Sequence, residues 1–169
     1  VGKNCNFEGL IDKCVVMLQL LGEFECKIDA KYRLRLPAGL ISQLNSPAPP
    51  TFVINRGFER CLMLYPLNVW DKISEEVNQL NLYNQQNRSF VRYFYRGAQK
   101  VTMDNADRIL INKRLLDYAG IDKDVVLSAY NDRIEMWASD EYEKILGNEP
   151  LDFSDLAESV LGNKNNPEL

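Results

Sequence analysis

Two short stretches of this 169-residue chain carry residue types at a spacing that could recognise a nucleic acid. DAKYRLRLP occupies residues 29–37 and DNADRILIN residues 104–112; in each, an arginine follows an aspartate by four positions. A short carboxylate in a turn bonds its own backbone two residues on. The same carboxylate can lean on the arginine and fix the direction of its guanidinium. A fixed guanidinium matches the O6 and N7 acceptors of guanine in the DNA major groove, a groove that also admits a two-stranded ribbon. Alternation along a strand puts Arg33 and Arg35 on one face and Leu34 and Leu36 on the other. In the second stretch Arg108 and Leu110 face outward, and Ile109 and Ile111 inward. Arg33, Arg108, Arg35 and Lys31 are therefore candidate DNA contacts, with Asp29 and Asp104 as the residues that orient them. A single Asp-x-x-x-Arg is an ordinary turn with a local ion pair; its recurrence in equivalent places favours a shared task.

Other chemistries lack their residues. The chain has no histidine, the commonest general base. It offers no nucleophile–base pair and no phosphate-binding loop, so an enzyme is not expected, nor a cofactor. Cys5, Cys14, Cys26 and Cys61 show no Cys-x-x-Cys spacing, so no metal site is expected and the cysteines read as reduced, packed residues. The longest apolar run, Cys14 to Leu21, is too short to span a membrane, which needs about 20 residues. The expected location is the cytoplasm. The net charge of -4 argues at first against a nucleic-acid partner, but distribution matters more than the sum. Residues 27–37 carry four bases and one acid, and residues 87–115 seven bases and two acids, whereas residues 133–169 carry three bases and nine acids. The chain has basic segments and an acidic C-terminal part.

The elements around the two motifs repeat as well. Asp29, Ala30, Arg33, Leu34 and Leu36 align with Asp104, Ala106, Arg108, Ile109 and Ile111. A short helix follows each motif, at 38–44 and 113–119. An alternating hairpin comes next, around Arg56-Gly57 and around Asn131-Asp132. Each copy closes with a helix, LNVWDKISEEV or SDEYEKILGN, in which Trp70 and Ile73 correspond to Tyr142 and Ile145. The order in each copy is strand, strand, helix, strand, strand, helix. A unit of about fifty residues cannot bury both faces of its strands alone. It must pair with another copy, in cis or in trans.

Between the copies, NRSFVRYFYRGA reads as a helix with Phe90, Val91 and Phe94 on one side. Arg88, Arg92 and Arg96 then form one ridge at i, i+4 and i+8, either a solvated face or one turned to a phosphate or a subunit. Residues 1–16 have no counterpart in the second copy and read as an extension, with Met17 a possible true start. GNKNNPEL, after Leu161, is polar and aperiodic and is expected to be disordered.

LLGEFECKIDAKYRLRLPAGL, VINRGFERCLMLYP, NRSFVRYFYRGA, DNADRILINKRLLDYAGI and VVLSAYNDRIEMW, in that order, resemble the MraZ family from about Met17 to Leu161. The resemblance implies an α+β chain of two tandem swapped-hairpin, β-barrel-like modules of SpoVT-AbrB type with flanking helices and an internal pseudo-twofold. It divides the chain into an extension (1–16), a first module (17–85), an inter-module helix (86–98), a second module (99–161) and a tail (162–169). It implies a DNA-binding transcriptional regulator in the cytoplasm and nucleoid, bound to short direct repeats of double-stranded DNA in the promoter of the division and cell-wall gene cluster. It also implies a ring-shaped homo-oligomer, with Arg33 and Arg108 as principal DNA contacts. The alternative, from another class, is an antitoxin-like protein-interaction module acting through the acidic C-terminal segment. Three positions depart from the family. Tyr32 and Asp107 stand where relatives have glycine before the arginine, at a place that tends to need positive φ. Tyrosine is disfavoured there, so the first turn is expected to change shape, and Asp107 sets an anion beside Arg108. Asn112 replaces a proline, and asparagine should cap the following helix instead.

Overall fold

The computed structural model describes residues 18–46, 48–147 and 152–162. The expectations for residues 1–16, for Met17 and for 163–169 lie outside the described residues. The chain runs β1 (Leu20–Lys27), β2 (Arg33–Arg35), α1 (Ala38–Ile41, prolonged by a 3-10 turn at Ser42–Leu44), β3 (Thr51–Arg56), β4 (Leu62–Pro66) and α2 (Leu67–Asn78). Then follow α3 (Gln85–Phe94), β5 (Gln99–Thr102), β6 (Arg108–Leu110), α4 (Lys113–Ala119), β7 (Asp124–Asn131), β8 (Arg133–Ala138), α5 (Ser139–Leu146) and α6 (Phe153–Gly162). The repeated order of elements stands as the sequence suggests.

Pairing is where the two copies meet. Six antiparallel strands form one sheet in the order β1-β7-β8-β4-β3-β5, and β2 pairs with β6 in a separate two-stranded ribbon. β1 of the first copy therefore lies on β7 of the second, and β5 of the second on β3 of the first. Replacing each strand by its counterpart turns the order into its own reverse. The copies thus complete each other in cis, and the need for a partner is met within one chain. The sheet keeps two edges, β1 and β5, and no pairing among the described residues closes it into a barrel. The barrel-like expectation is corrected on this point.

One face of the sheet turns Leu20, Phe52, Ile54, Leu62, Leu64, Leu127, Ile134 and Met136 into the main core. The ribbon and the helices α1 and α4 close that core with Leu34, Leu36, Ile109, Ile111, Leu40 and Leu115, each 2% exposed or less. Burying one such side chain stabilises by about 1.5–3 kcal/mol. A ribbon of three-residue strands would be marginal alone; four buried anchors make it a rigid platform. The opposite face carries Val53, Met63, Tyr65, Val126 and Trp137, packed with Val69 and Trp70 of α2 and Tyr142 of α5. Trp70 stacks on Phe94 of α3, with ring centroids 5.3 Å apart.

Local chemistry sets the ends of the helices. The Asn112 side chain accepts from the Arg114 amide at 2.9 Å and caps α4, as its type suggests. Gly120, at φ 65, ends α4 in the left-handed conformation. Asn84 caps α3 by accepting from the Gln86 amide, so the helix begins at Gln85 and ends at Phe94, and residues 95–97 form a turn. The single ridge of Arg88, Arg92 and Arg96 is therefore broken. Arg96 lies beyond the helix, and Arg88 donates through Nη1 to the carbonyls of Leu82 and Tyr83, both at 2.8 Å. Residue 162, expected in the tail, is the last residue of α6.

Candidate nucleic-acid interface

The two Asp-x-x-x-Arg motifs, 75 residues apart, form the two ends of one small surface. β2 and β6 pair antiparallel in the register Arg33–Leu110, Leu34–Ile109 and Arg35–Arg108. Leu34 and Ile109 point into the core, so Arg33, Arg35, Arg108 and Leu110 share the outer face. The amide of Leu36 donates to the Asp107 carbonyl, and that of Ile111 to the Tyr32 carbonyl, which extends the ladder to each turn.

The turns are built alike. Asp29 Oδ1 accepts from the amides of Lys31 (2.8 Å) and Arg33 (3.0 Å). Its Oδ2 accepts from Arg33 Nε at 2.8 Å and lies 2.7 Å from Nη2 in an ion pair. Asp104 Oδ1 accepts from the amides of Ala106 (2.8 Å) and Arg108 (2.9 Å), and its Oδ2 accepts from Arg108 Nε (3.0 Å) and lies 2.9 Å from Nη2 in an ion pair. The carboxylate thus ties the turn with one oxygen and aims the arginine with the other. Hydrogen bonding from Arg33 brings the Asp29 carboxyl down to about 2, and hydrogen bonding from Arg108 lowers that of Asp104 likewise. Both carboxylates are ionised throughout the neutral range. Exposed ion pairs contribute little to stability, so the consequence is direction. With Nε and one side of Nη2 engaged, the Nη1–Nη2 end of each guanidinium remains to form paired hydrogen bonds outward.

Tyr32 and Asp107 both sit at φ 59, so the expected change in the first turn does not occur. The hydrogen bonds to Asp29 and the ribbon ladder hold Tyr32 in a conformation tyrosine disfavours. Asp107 is also not the partner of Arg108. Its carboxylate lies 3.9 Å from Arg35 Nη2, across the ribbon. Arg35 and Lys31 are exposed, whereas Arg33 and Arg108 are partly enclosed by their turns.

Sequence reasoning placed each arginine on the outer face of its strand but treated the motifs as separate sites. Their union in one ribbon was missed, because a three-residue strand does not name its partner. The helix α6 was missed too, although Phe153, Leu156, Ala157, Val160 and Leu161 follow helical spacing. Among the described residues no group of three or more acidic or cysteine side chains could hold a metal ion. Cys61 is buried, its thiol pushed up to about 12 by desolvation, and Cys26 is half-buried; neither is in a disulfide. No described helix is long and apolar enough to cross a membrane.

Comparison with known proteins adds two findings. The family model described as "MraZ protein, putative antitoxin-like" matches the chain twice, over residues 19–93 and 94–164. The chain is 43% identical over 148 residues to the transcriptional regulator MraZ of Christiangramia forsetii, covering 87% of this chain and 96% of that one. It is 41% identical to that of Flavobacterium psychrophilum (90% and 98% covered) and 31% identical to that of Clostridium tetani (83% and 95% covered).

Proposed function

The chain belongs to the MraZ family, and on that premise we propose that it is a transcriptional regulator that binds double-stranded DNA through the outer face of the β2–β6 ribbon. The observation that carries this reading is the pair of guanidiniums, Arg33 and Arg108, each aimed by its own aspartate on one rigid platform. Arg35 and Lys31 add charge for the phosphates, which fixes register without reading sequence. Asp29 and Asp104 are positioning residues. The net negative charge is no obstacle, because only this face needs to meet the DNA.

The exchanged strands are two swapped-hairpin modules of SpoVT-AbrB type, 17–85 and 99–161, related by a pseudo-twofold and joined through 86–98. Each chain presents one weakly binding ribbon, and a ring-shaped homo-oligomer presents several to successive short direct repeats. Linked contacts of this kind raise affinity by about 10²–10⁴ where the geometry permits. The target is the promoter of the division and cell-wall gene cluster, and the place of action is the cytoplasm and nucleoid. The chain performs no catalysis.

The test is a titration of the protein against a duplex carrying the direct repeats upstream of its own gene and against a scrambled duplex, at two salt concentrations. Specific binding that weakens steeply with salt is expected, since each neutralised phosphate contributes about -0.9 to the log–log slope. Equal affinity for the two duplexes, or none for either, would overturn the reading.

A further inference from the structure

One helix and one groove of this chain are each left open, and they complement each other. α6 turns Phe153, Leu156, Val160 and Leu161 along one side, with 74%, 44%, 59% and 60% of their surfaces exposed, and it buries no residue against the rest of the chain. An apolar helix stripe of this width is normally covered. Asp152, Asp155 and Glu158 make the segment acidic, with no base in it.

The groove, of about 590 Å³, lies between α3 and the loop joining β3 to β4. Its rim carries Phe58, which is fully exposed, with Tyr93 at 70% and Phe90 at 42%. Contiguous exposed aromatics of this kind mark an interaction surface. Arg56 and Arg96 line the same groove and form no ion pair among the described residues. Arg56 Nε is enclosed there without a hydrogen-bond acceptor, the kind of unmet donor that an incoming polar group relieves. The lining holds three guanidiniums, Arg56, Arg96 and Arg133, against two carboxylates, Glu59 and Glu135, and Arg56 lies over the Tyr118 ring, 4.5 Å from its centroid.

We propose that α6 of one chain docks in the α3 groove of a second chain, apolar stripe inward and carboxylates toward Arg56 and Arg96. The occupant is a second copy because one sequence supplies both halves: an acidic amphipathic helix and an aromatic groove with unpaired arginines. Such a contact is heterologous, joining different patches on the two partners, and it propagates head to tail until a ring closes. The inference deepens the ring-shaped assembly proposed above and rests on it. It also leaves the arginine face of the ribbon free, since neither α6 nor the groove includes a ribbon residue.

Light scattering on the full chain and on two variants tests it. Leu156→Asp with Val160→Asp spoils the helix, and Phe58→Asp spoils the groove; all three side chains are exposed, so circular dichroism should match the wild type. Wild type should show a mass several times the 19.5 kDa of one chain, and each variant alone should fall to one chain. Mixed in equal amounts, the variants should form a dimer of one chain of each, because the intact α6 of Phe58→Asp still fits the intact groove of the other. If wild type assembles and both variants keep its mass, this interface is wrong while the assembly stands. If only the helix variant dissociates, α6 pairs with itself and the groove is not its seat. A mixture that remains monomeric overturns the proposal, and a monomeric wild type overturns both the interface and the assembly.

Discussion

The two ends of the β2–β6 ribbon share a framework and differ in the charges they add to it. At one end Asp29 aims Arg33, Lys31 adds a base, and the residue opposite Arg33 is Leu110. At the other Asp104 aims Arg108, the residue opposite is Arg35, and Asp107 lies 3.9 Å from that arginine. With the aspartates counted, the first end carries two bases and one acid, and the second two bases and two acids. Equal geometry with unequal charge means that the Arg33 end should dominate attraction to phosphate, while both ends keep the aimed guanidinium that the proposed base reading needs. Backbone strain follows the same division. Tyr32 and Asp107 occupy the same left-handed conformation at φ 59, but aspartate enters that region several-fold more readily than bulky residues.

The largest expected effect separates the two arginines. A bidentate contact to guanine is worth about 1–3 kcal/mol of discrimination. Arg33→Ala should therefore lower affinity for the target duplex by about 100-fold, and Arg108→Ala by nearer 10-fold. Fluorescence anisotropy with labelled duplex measures both, and equal losses would refute the charge argument. Neither change should unfold the protein, since both side chains lie on the outer face of the ribbon.

Asp107→Asn acts on the other end of the ribbon. Removing that anion frees Arg35 for phosphate and should raise affinity roughly 3-fold to 5-fold, about 1 kcal/mol, as expected for a partly exposed charge. The gain should shrink as salt rises. Unchanged affinity at low salt would mean that the charge imbalance between the ends is irrelevant.

Strain predicts a smaller difference, in stability. A left-handed conformation costs a residue with a side chain about 1–2 kcal/mol, and glycine gives back about 0.5–1 kcal/mol of that in unfolded-state freedom. Tyr32→Gly should then stabilise the fold by about 0.5–1 kcal/mol in urea unfolding, and Asp107→Gly by less. If Tyr32→Gly destabilises, the tyrosine ring supports the turn in a way its exposure does not suggest.

The smallest effect expected is that of pH. The folded-state carboxyls of Asp29 and Asp104 lie below their ordinary value. Their contribution is thus complete above about 4, and that of Asp29 is lost only as pH falls through about 2. The chain has no histidine to titrate in between. Affinity at constant salt should change by less than about twofold from pH 5 to 8. A steeper change would locate a titrating group outside the two turns.

Much of the site was legible because it rests on local rules. The turn aspartates, the outward Arg33, Arg35 and Arg108, the inward Leu34 and Ile109, and the cap at Asn112 all follow from spacing and side-chain chemistry. What was not legible depends on contacts between distant segments. A three-residue strand such as Arg33–Arg35 has no pattern long enough to select Arg108–Leu110 as its partner. That pairing also decides where Asp107 points: toward Arg35, not toward its neighbour Arg108. The conformation of Tyr32 ran against intrinsic preference because ladder bonds at both ends of the turn outweigh a cost of about 1–2 kcal/mol. The demand for a partner was read correctly, but pairing of the two copies within the chain answers it. The proposed ring would therefore rest on other surfaces.

In the function proposed here, each aspartate fixes a guanidinium so that the ribbon reads bases as well as attracting phosphate. The most direct test replaces the fork and keeps the charge. The double variant Arg33→Lys with Arg108→Lys should be titrated against target and scrambled duplexes at two salt concentrations. An ammonium is a point charge without the planar fork. Salt-sensitive binding should survive while preference for the target falls to near unity. If the lysine variant discriminates between the duplexes as well as wild type does, the arginines do not read the DNA and the account is wrong.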